Sequence, residues 1–315
     1  MNAFLTSIAF VFLSLVPEAA FADGECKFGP QKTITLKNMG PCEFDLEKLS
    51  FAGDPAQQAA CLTTPVLKFG QLGPRAELPA DFAKRVGQAT DLPTQEEVHT
   101  LLQDFGLDDK FGPALAAPLA SARDNDPLSP FVRYFVMHDT SSPNYTRRDF
   151  PPDIDHDSGI NSLARYVCSN KIERAHVFIN RSGEVLFAHD FSVPWRATKF
   201  EMATNFDSAL KGLFVHVELI QPRRSEPSHG WLNDFQAPTP GFSAAQYERL
   251  ALVYIVASRR AGHWLIPAFH AVIDEGIYDK HDDPQNFEFA VFNENLEKLL
   301  ARLKNPPAKQ GAFVP

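Results

Sequence analysis

The sequence predicts an α/β fold, a central mixed β-sheet flanked by helices, with an N-terminal accessory region ahead of it. Three observations predict it. Short runs rich in β-branched and aromatic residues recur after residue 130, at 131–137 (FVRYFVM), 175–180 (AHVFIN) and 213–220 (LFVHVELI). Helical segments with cap signals alternate with them, at 242–262 and around 296–303. Before residue 130 the chain is rich in Pro, Gly and Ala and carries one well-signalled helix. Strands alternating with helices bury their apolar faces on one another, which gives a layered α/β domain.

Taken in order, the first element is an apolar run, Ala3–Val16, followed by Ala20-Phe21-Ala22. A spanning helix needs about 20 apolar residues, so this run suits the core of an export signal cleaved near Ala22. No Lys or Arg precedes it. A mature chain would begin at Asp23, in the periplasm or outside the cell, and no later run is apolar enough to span a membrane. The organisation expected is a signal peptide at 1–22, an accessory region at 23–127, a main domain at 128–305 and a tail at 306–315. In the accessory region Thr94-x-x-Glu97 is a capping box, Val98, Leu101, Leu102 and Phe105 share a helical face, and Gly106 stands at the C-terminal cap. The four cysteines, Cys26, Cys42, Cys61 and Cys168, permit two disulfides in an oxidising compartment, with at least one local bridge in the accessory region. Asp126-Pro127-Leu128-Ser129-Pro130 reads as a linker.

Beyond the linker, FVRYFVM suits a strand buried on both faces. The run 175–180 turns at Gly183 into 185–188 as a hairpin, and 213–220 is a further strand. Ser243-x-x-Gln246 caps a long helix with Tyr247, Leu250, Tyr254 and Ser258 on one face, ended by Gly262. Leu296, Leu299, Leu300 and Leu303 mark a last helix, stopped by Pro306-Pro307.

The 315 residues are 44% hydrophobic and 22% charged, too apolar for a disordered chain. With 30 basic against 39 acidic residues and no Lys/Arg stripe, a nucleic-acid partner is not expected. No GxSxG elbow, P-loop or GxGxxG is present. Histidine is where chemistry concentrates. His138 ends the FVRYFVM strand, His270 follows the apolar run 264–269, and His281-Asp282-Asp283-Pro284 precedes the last helix.

These segments, in order, resemble the zinc-dependent N-acetylmuramoyl-L-alanine amidases of type 2, which share a fold with peptidoglycan recognition proteins. The resemblance rests on VMHDTSSP, AHVFINRSGEV, FVHVELIQPR, FSAAQYERLALVYIVASRR and His270…His281-Asp282-Asp283-Pro284, and covers about residues 131 to 303. It implies zinc bound by His138, His270 and Asp283, and Glu218 as the group that moves protons to and from water. It implies a peptidoglycan or muropeptide substrate, cut at the amide between N-acetylmuramic acid and L-alanine. His281 stands where many relatives carry a lysine and is the expected oxyanion-stabilising group. His176 matches a pocket-wall position, and Trp195 falls where the family often places a cleft aromatic. The gap from His270 to Asp283 is longer than usual, which leaves Asp282 and His281 open as third ligands. The other reading of the same resemblance is a peptidoglycan-binding protein that kept the fold and lost catalysis.

Overall fold

The computed structural model describes residues 40–305, apart from 76, 118, 120–131, 147, 167–174, 207–209, 211 and 226–234. The segment read as a signal peptide, Cys26, Cys168, His229, the segment read as a linker and the C-terminal tail lie outside the described residues. The first described elements are a two-stranded ribbon, β1 (Phe44–Asp45) and β2 (Ser50–Phe51), then helix α1 (Pro55–Leu62). Asp54 and Gln57 close a capping box on α1, and Cys61 near its end is bonded to Cys42. Helices α2 (Ala80–Arg85), α3 (Gln95–Asp104) and α4 (Asp108–Phe111) complete this part. On α3 the expected Thr94–Glu97 box is formed, with Gly106 at φ 64° just beyond the end.

The remainder builds the sheet. Strands β3 (Tyr134–Asp139), β5 (Val177–Ile179), β6 (Val185–Phe187), β7 (Phe214–Leu219) and β10 (Ile266–Phe269) form one five-stranded sheet in the order β10-β3-β7-β5-β6. All neighbours are parallel except the β5–β6 hairpin, whose turn places Gly183 at φ 85°. Three short strands, β4 (Asn144–Tyr145), β8 (Arg223–Ser225) and β9 (Phe235–Gln236), pair beside it. Helix α5 (Ser158–Asn161) lies before the hairpin, α6 (Ala244–Ala261) after β9, α7 (His270–Ile273) directly after β10, and α8 (Phe289–Lys304) closes the chain. This is the mixed sheet flanked by helices that the sequence predicts.

Side-chain parity divides the sheet. Phe135 meets Tyr254 of α6 edge-on, and Gln246 of α6 donates to the carbonyls of Ile179 and Ile220, so α6 covers the face of odd-numbered β3 residues. Ser243 and Gln246 form the expected cap, and Gly262 ends α6 in the left-handed conformation. The expected apolar stripe on α6 is too narrow: every residue from Leu250 to Ala257 is buried, because α6 is enclosed by the sheet, α3 and α8. The opposite face starts apolar. Tyr134 and Phe214 stack at 5.1 Å, and Phe44, Phe51, Phe200 and Phe206 close over them. Residues from 42 to 119 and residues of the sheet thus share one hydrophobic core.

The tie between the two parts is also polar. The Tyr134 hydroxyl donates to Gln58 Oε1 and accepts from the Phe51 amide, both at 2.8 Å and both buried. Removing one partner of a buried hydrogen bond strands the other, at about 1–3 kcal/mol. Tyr134→Phe is therefore expected to lower unfolding free energy by about that amount in a urea titration. An unchanged midpoint would show that the aromatic cluster alone holds the N-terminal part in place.

Candidate metal centre

Parallel strands bring their carboxyl ends to one edge of the sheet, where ligands of α/β proteins bind. Here that edge carries His138 at the end of β3, Glu218 near the end of β7 and His270 immediately after β10. His138 and Glu218 are Cα partners in the β3–β7 ladder, as are Val136 and His216. Partners in a parallel ladder project from the same face about 4.8 Å apart. His138, His216 and Glu218 therefore stand together on the face opposite α6, each 5% exposed or less.

Asp283 reaches the same point from the loop before α8. His138 Nδ1 lies 2.8 Å from His270 Nδ1. Asp283 Oδ2 lies 3.1 Å from His270 Nδ1 and 3.7 Å from His138 Nδ1. Ligands of a tetrahedral zinc at about 2.0–2.1 Å stand about 3.3 Å apart, so each side of this triangle is within about 0.5 Å of that edge. Two nitrogens and one carboxylate oxygen on one face of a tetrahedron are a donor set that zinc accepts with a position to spare. The second-sphere contacts agree. His270 Nε2 sits 3.0 Å from Asp274 Oδ2, a carboxylate that favours the neutral ring's proton on Nε2 and so its lone pair on Nδ1, the atom in the triangle. Asp283 Oδ2 also accepts from the Asp139 amide at 3.1 Å.

The expected site residues separate into groups. His138, His270 and Asp283 converge. Asp282, left open by the sequence as a ligand, turns away: its Oδ2 accepts from Arg223 Nη1 at 3.2 Å and Gln285 Nε2 at 2.7 Å. His281, the other open ligand, gives Nδ1 to Asp274 at 2.7 Å and stacks on the His270 ring at 3.9 Å. A second trio, His270, Asp274 and His281, is close enough to hold a cation. However, Asp274 also accepts from the Phe200 amide at 2.9 Å and the Lys199 amide at 3.2 Å, so its oxygens are already occupied. Trp195 corrects the sequence reading. It is 2% exposed and stacked on His189 at 4.1 Å, a packing residue and not a cleft aromatic.

Electrostatics favour a cation at this corner. Burial disfavours charge on His270, but Asp283 and Asp274 outweigh it and hold its pKa well above the ordinary histidine range. Burial, and then the neighbouring imidazoles, push His138 well below that range, into the neutral form a metal requires. Burial would raise Asp283, yet His270, His281 and Arg223 bring it below the usual carboxylate value. Behind Asp283, Arg223 is fully buried and pairs with Asp139 at 2.6 Å, and the Gln285 amide donates to the same Asp139 oxygen, which fixes the loop.

Sequence reasoning missed Asp274, Glu201 and the Arg223–Asp139 pair, and left His216 unassigned. The alternation of His216 and Glu218 in LFVHVELI is the signal that a buried strand has one polar face. No motif marks Glu201, whose partner His216 is 15 residues away, or Asp274, which meets His270 four residues before it and the amides of Lys199 and Phe200 far from it in the chain. His176, read as pocket wall, lies one strand further along this face. Its Nδ1 accepts from the His216 amide at 3.1 Å and its Nε2 faces the Val193 carbonyl at 3.0 Å.

Burial, with His216 adding to it, pushes the His176 pKa down to about 3. An unfolded histidine titrates near 6.5, so between these values the unfolded chain binds more protons. The stability His176 contributes is full above pH 6.5 and is lost as pH falls, by at most about 1.4 kcal/mol per unit. The urea midpoint of metal-free protein is expected to fall more steeply from pH 7 to pH 5 in the wild type than in His176→Asn. Parallel slopes would assign the acid sensitivity to other groups.

No family model, curated protein or solved structure matches the chain, so the reading of this centre rests on its own geometry and on the order of its motifs.

Proposed function

We propose that the protein is a zinc-dependent hydrolase of a linear amide, with N-acetylmuramoyl-L-alanine of peptidoglycan or muropeptides as substrate. The observation that carries this reading is the triangle of His138 Nδ1, His270 Nδ1 and Asp283 Oδ2, whose sides of 2.8, 3.1 and 3.7 Å suit one tetrahedral cation. A zinc ion held there supplies a Lewis acid that polarises an amide carbonyl and makes water a better nucleophile. The rest is the work of the chain. Glu218, the partner of His138 one strand away on the same face, serves in this reading as the base that takes the proton of a water in the centre. The same carboxyl then returns a proton to the leaving amine. His281, stacked on His270 with Nδ1 fixed by Asp274, is assigned the part of the donor to a developing oxyanion. The muramoyl-alanine specificity is supported by the five ordered motifs that resemble the type 2 amidases. Export is supported by the apolar segment 3–16 with its small-residue cleavage pattern and by the Cys42–Cys61 disulfide. Among the described residues no helix is long and apolar enough to cross a membrane.

The test is incubation of purified protein with a muropeptide, with and without chelator, and identification of products by mass. Free stem peptide that disappears on chelation and returns with zinc is expected. Binding without turnover would support a recognition protein, and other fragments a different amide substrate. Glu218→Gln is expected to lose roughly 10²–10⁴-fold in turnover with metal content unchanged. Asp283→Ala is expected to lose the metal itself. Because a cation competes with the His270 proton, zinc affinity is expected to weaken as pH is lowered, which isothermal titration at several pH values measures.

A further inference from the structure

Behind His138, on the side away from the triangle, lies a chain of buried groups that the proposed reaction does not use. His138 Nε2 lies 3.0 Å from His216 Nδ1. His216 Nε2 lies 3.3 Å from Glu201 Oε1 and 3.2 Å from Glu201 Oε2. His216 and Glu201 are both 0% exposed, so no bulk water mediates between them. The direction of the protons follows from the acceptor at the end. A carboxylate accepts only, so the His216 proton sits on Nε2, which makes His216 Nδ1 an acceptor. His138 must then donate from Nε2, and its Nδ1 is left with a lone pair. The reverse order would set an unprotonated nitrogen against a carboxylate at about hydrogen-bond distance inside the protein, two acceptors facing each other.

We propose that Glu201 and His216 are positioning residues: a relay that fixes His138 as the Nε2–H tautomer and aims its Nδ1 lone pair at the cation point. This rests on the reading of His138, His270 and Asp283 as a metal centre. It assigns to His138 what Asp274 supplies directly to His270, a carboxylate that sets the ring, here acting through a second imidazole.

The orientation of the Glu201 carboxylate makes a sharp test possible. Its Oε2 accepts from the Ala197 amide at 3.1 Å, the Thr198 amide at 3.0 Å and the Thr198 hydroxyl at 2.8 Å. In Glu201→Gln the amide oxygen stays with those donors, and the NH₂ takes the place of Oε1, the oxygen that shares the hydrogen bond with His216 although Oε2 is as near. The whole relay then reverses. His216 must accept at Nε2 and donate from Nδ1, His138 must accept at Nε2, and its proton moves to Nδ1, where it blocks the cation. The substitution is isosteric and keeps the donors to Oε2 satisfied, so the fold is expected to persist.

The experiment has two readouts. Zinc titration, with cobalt as a spectroscopic probe, is expected to show Glu201→Gln binding metal about 10–100-fold more weakly than wild type. Nitrogen-15 NMR of the metal-free proteins is expected to find His138 and His216 as Nε2–H in the wild type and as Nδ1–H in Glu201→Gln. Equal metal affinity in a folded Glu201→Gln, or a wild-type His138 protonated on Nδ1, overturns the relay. If the variant does not fold, the wild-type tautomer decides alone. A wild type that takes up neither zinc nor cobalt would overturn the metal reading instead, a result separate from either tautomer pattern.

Discussion

Two imidazole nitrogens 2.8 Å apart, in an interior that bulk water does not reach, are the constraint on which this structure depends. With both ring protons on Nε2, two lone pairs face each other at that separation, and a proton or a cation between the rings relieves the repulsion. Carboxylates must then stand close enough to balance that charge, and they in turn must be satisfied by fixed donors. Asp283 meets one demand, held by the Asp139 amide; Asp274 meets another, held by the amides of Lys199 and Phe200. The Arg223–Asp139 pair, buried on both sides, anchors the loop that delivers Asp283. A buried ion pair of this kind contributes little net stability, but losing one partner leaves the other charge stranded. Its use here is to set the position of one carboxylate.

The fold supplies the place. On the face opposite α6, each central strand runs from aromatic to ionisable, Tyr134-Val136-His138 on β3 and Phe214-His216-Glu218 on β7. The amino ends are sealed by Phe44, Phe51, Phe200 and Phe206, and the carboxyl ends are left to polar groups. The N-terminal part is thus tied to the centre: by closing over the aromatic end, it seals the same face on which the histidines stand.

Much of this was legible in the chain. Capping boxes at Thr94 and Ser243, glycines at 183 and 262, and the apolar strand runs are local signals, and the structure places each where local physics requires. The ordered histidines and Asp283 were legible too, because each sits at or just beyond the end of a regular element. Other features were not. Strand β10 is four residues long and contains Pro267, so it carries no alternation, and its identity comes from pairing with β3. Helix α1 hides behind an Asp cap in a segment whose composition reads as loop. The narrow stripe expected on α6 fails because periodicity reports one buried face, whereas ALVYIVA is apolar all round and enclosed on several sides. Trp195 was misplaced for a related reason: an aromatic next to a site in sequence packs wherever its area is best buried.

Glu201 and Asp274 show why the supporting shell of a site resists reading from sequence. Each meets its imidazole only after the chain has folded, across 15 residues for Glu201 and His216 and within one helical turn for Asp274 and His270. Yet one short stretch serves both. The amides of Lys199 and Phe200 hold Asp274, and the next residue is Glu201, itself clasped by Ala197 and Thr198. The segment 197–201 therefore orients both imidazoles of the triangle at once, one through Asp274 and the other through Glu201 and His216. Phe200 of the same stretch is buried against Phe44, Phe51 and Phe206, so the ring that closes the aromatic end of the face also locks the segment aiming its polar end. Hydrophobic burial and imidazole orientation are, at this stretch, the same mechanical element.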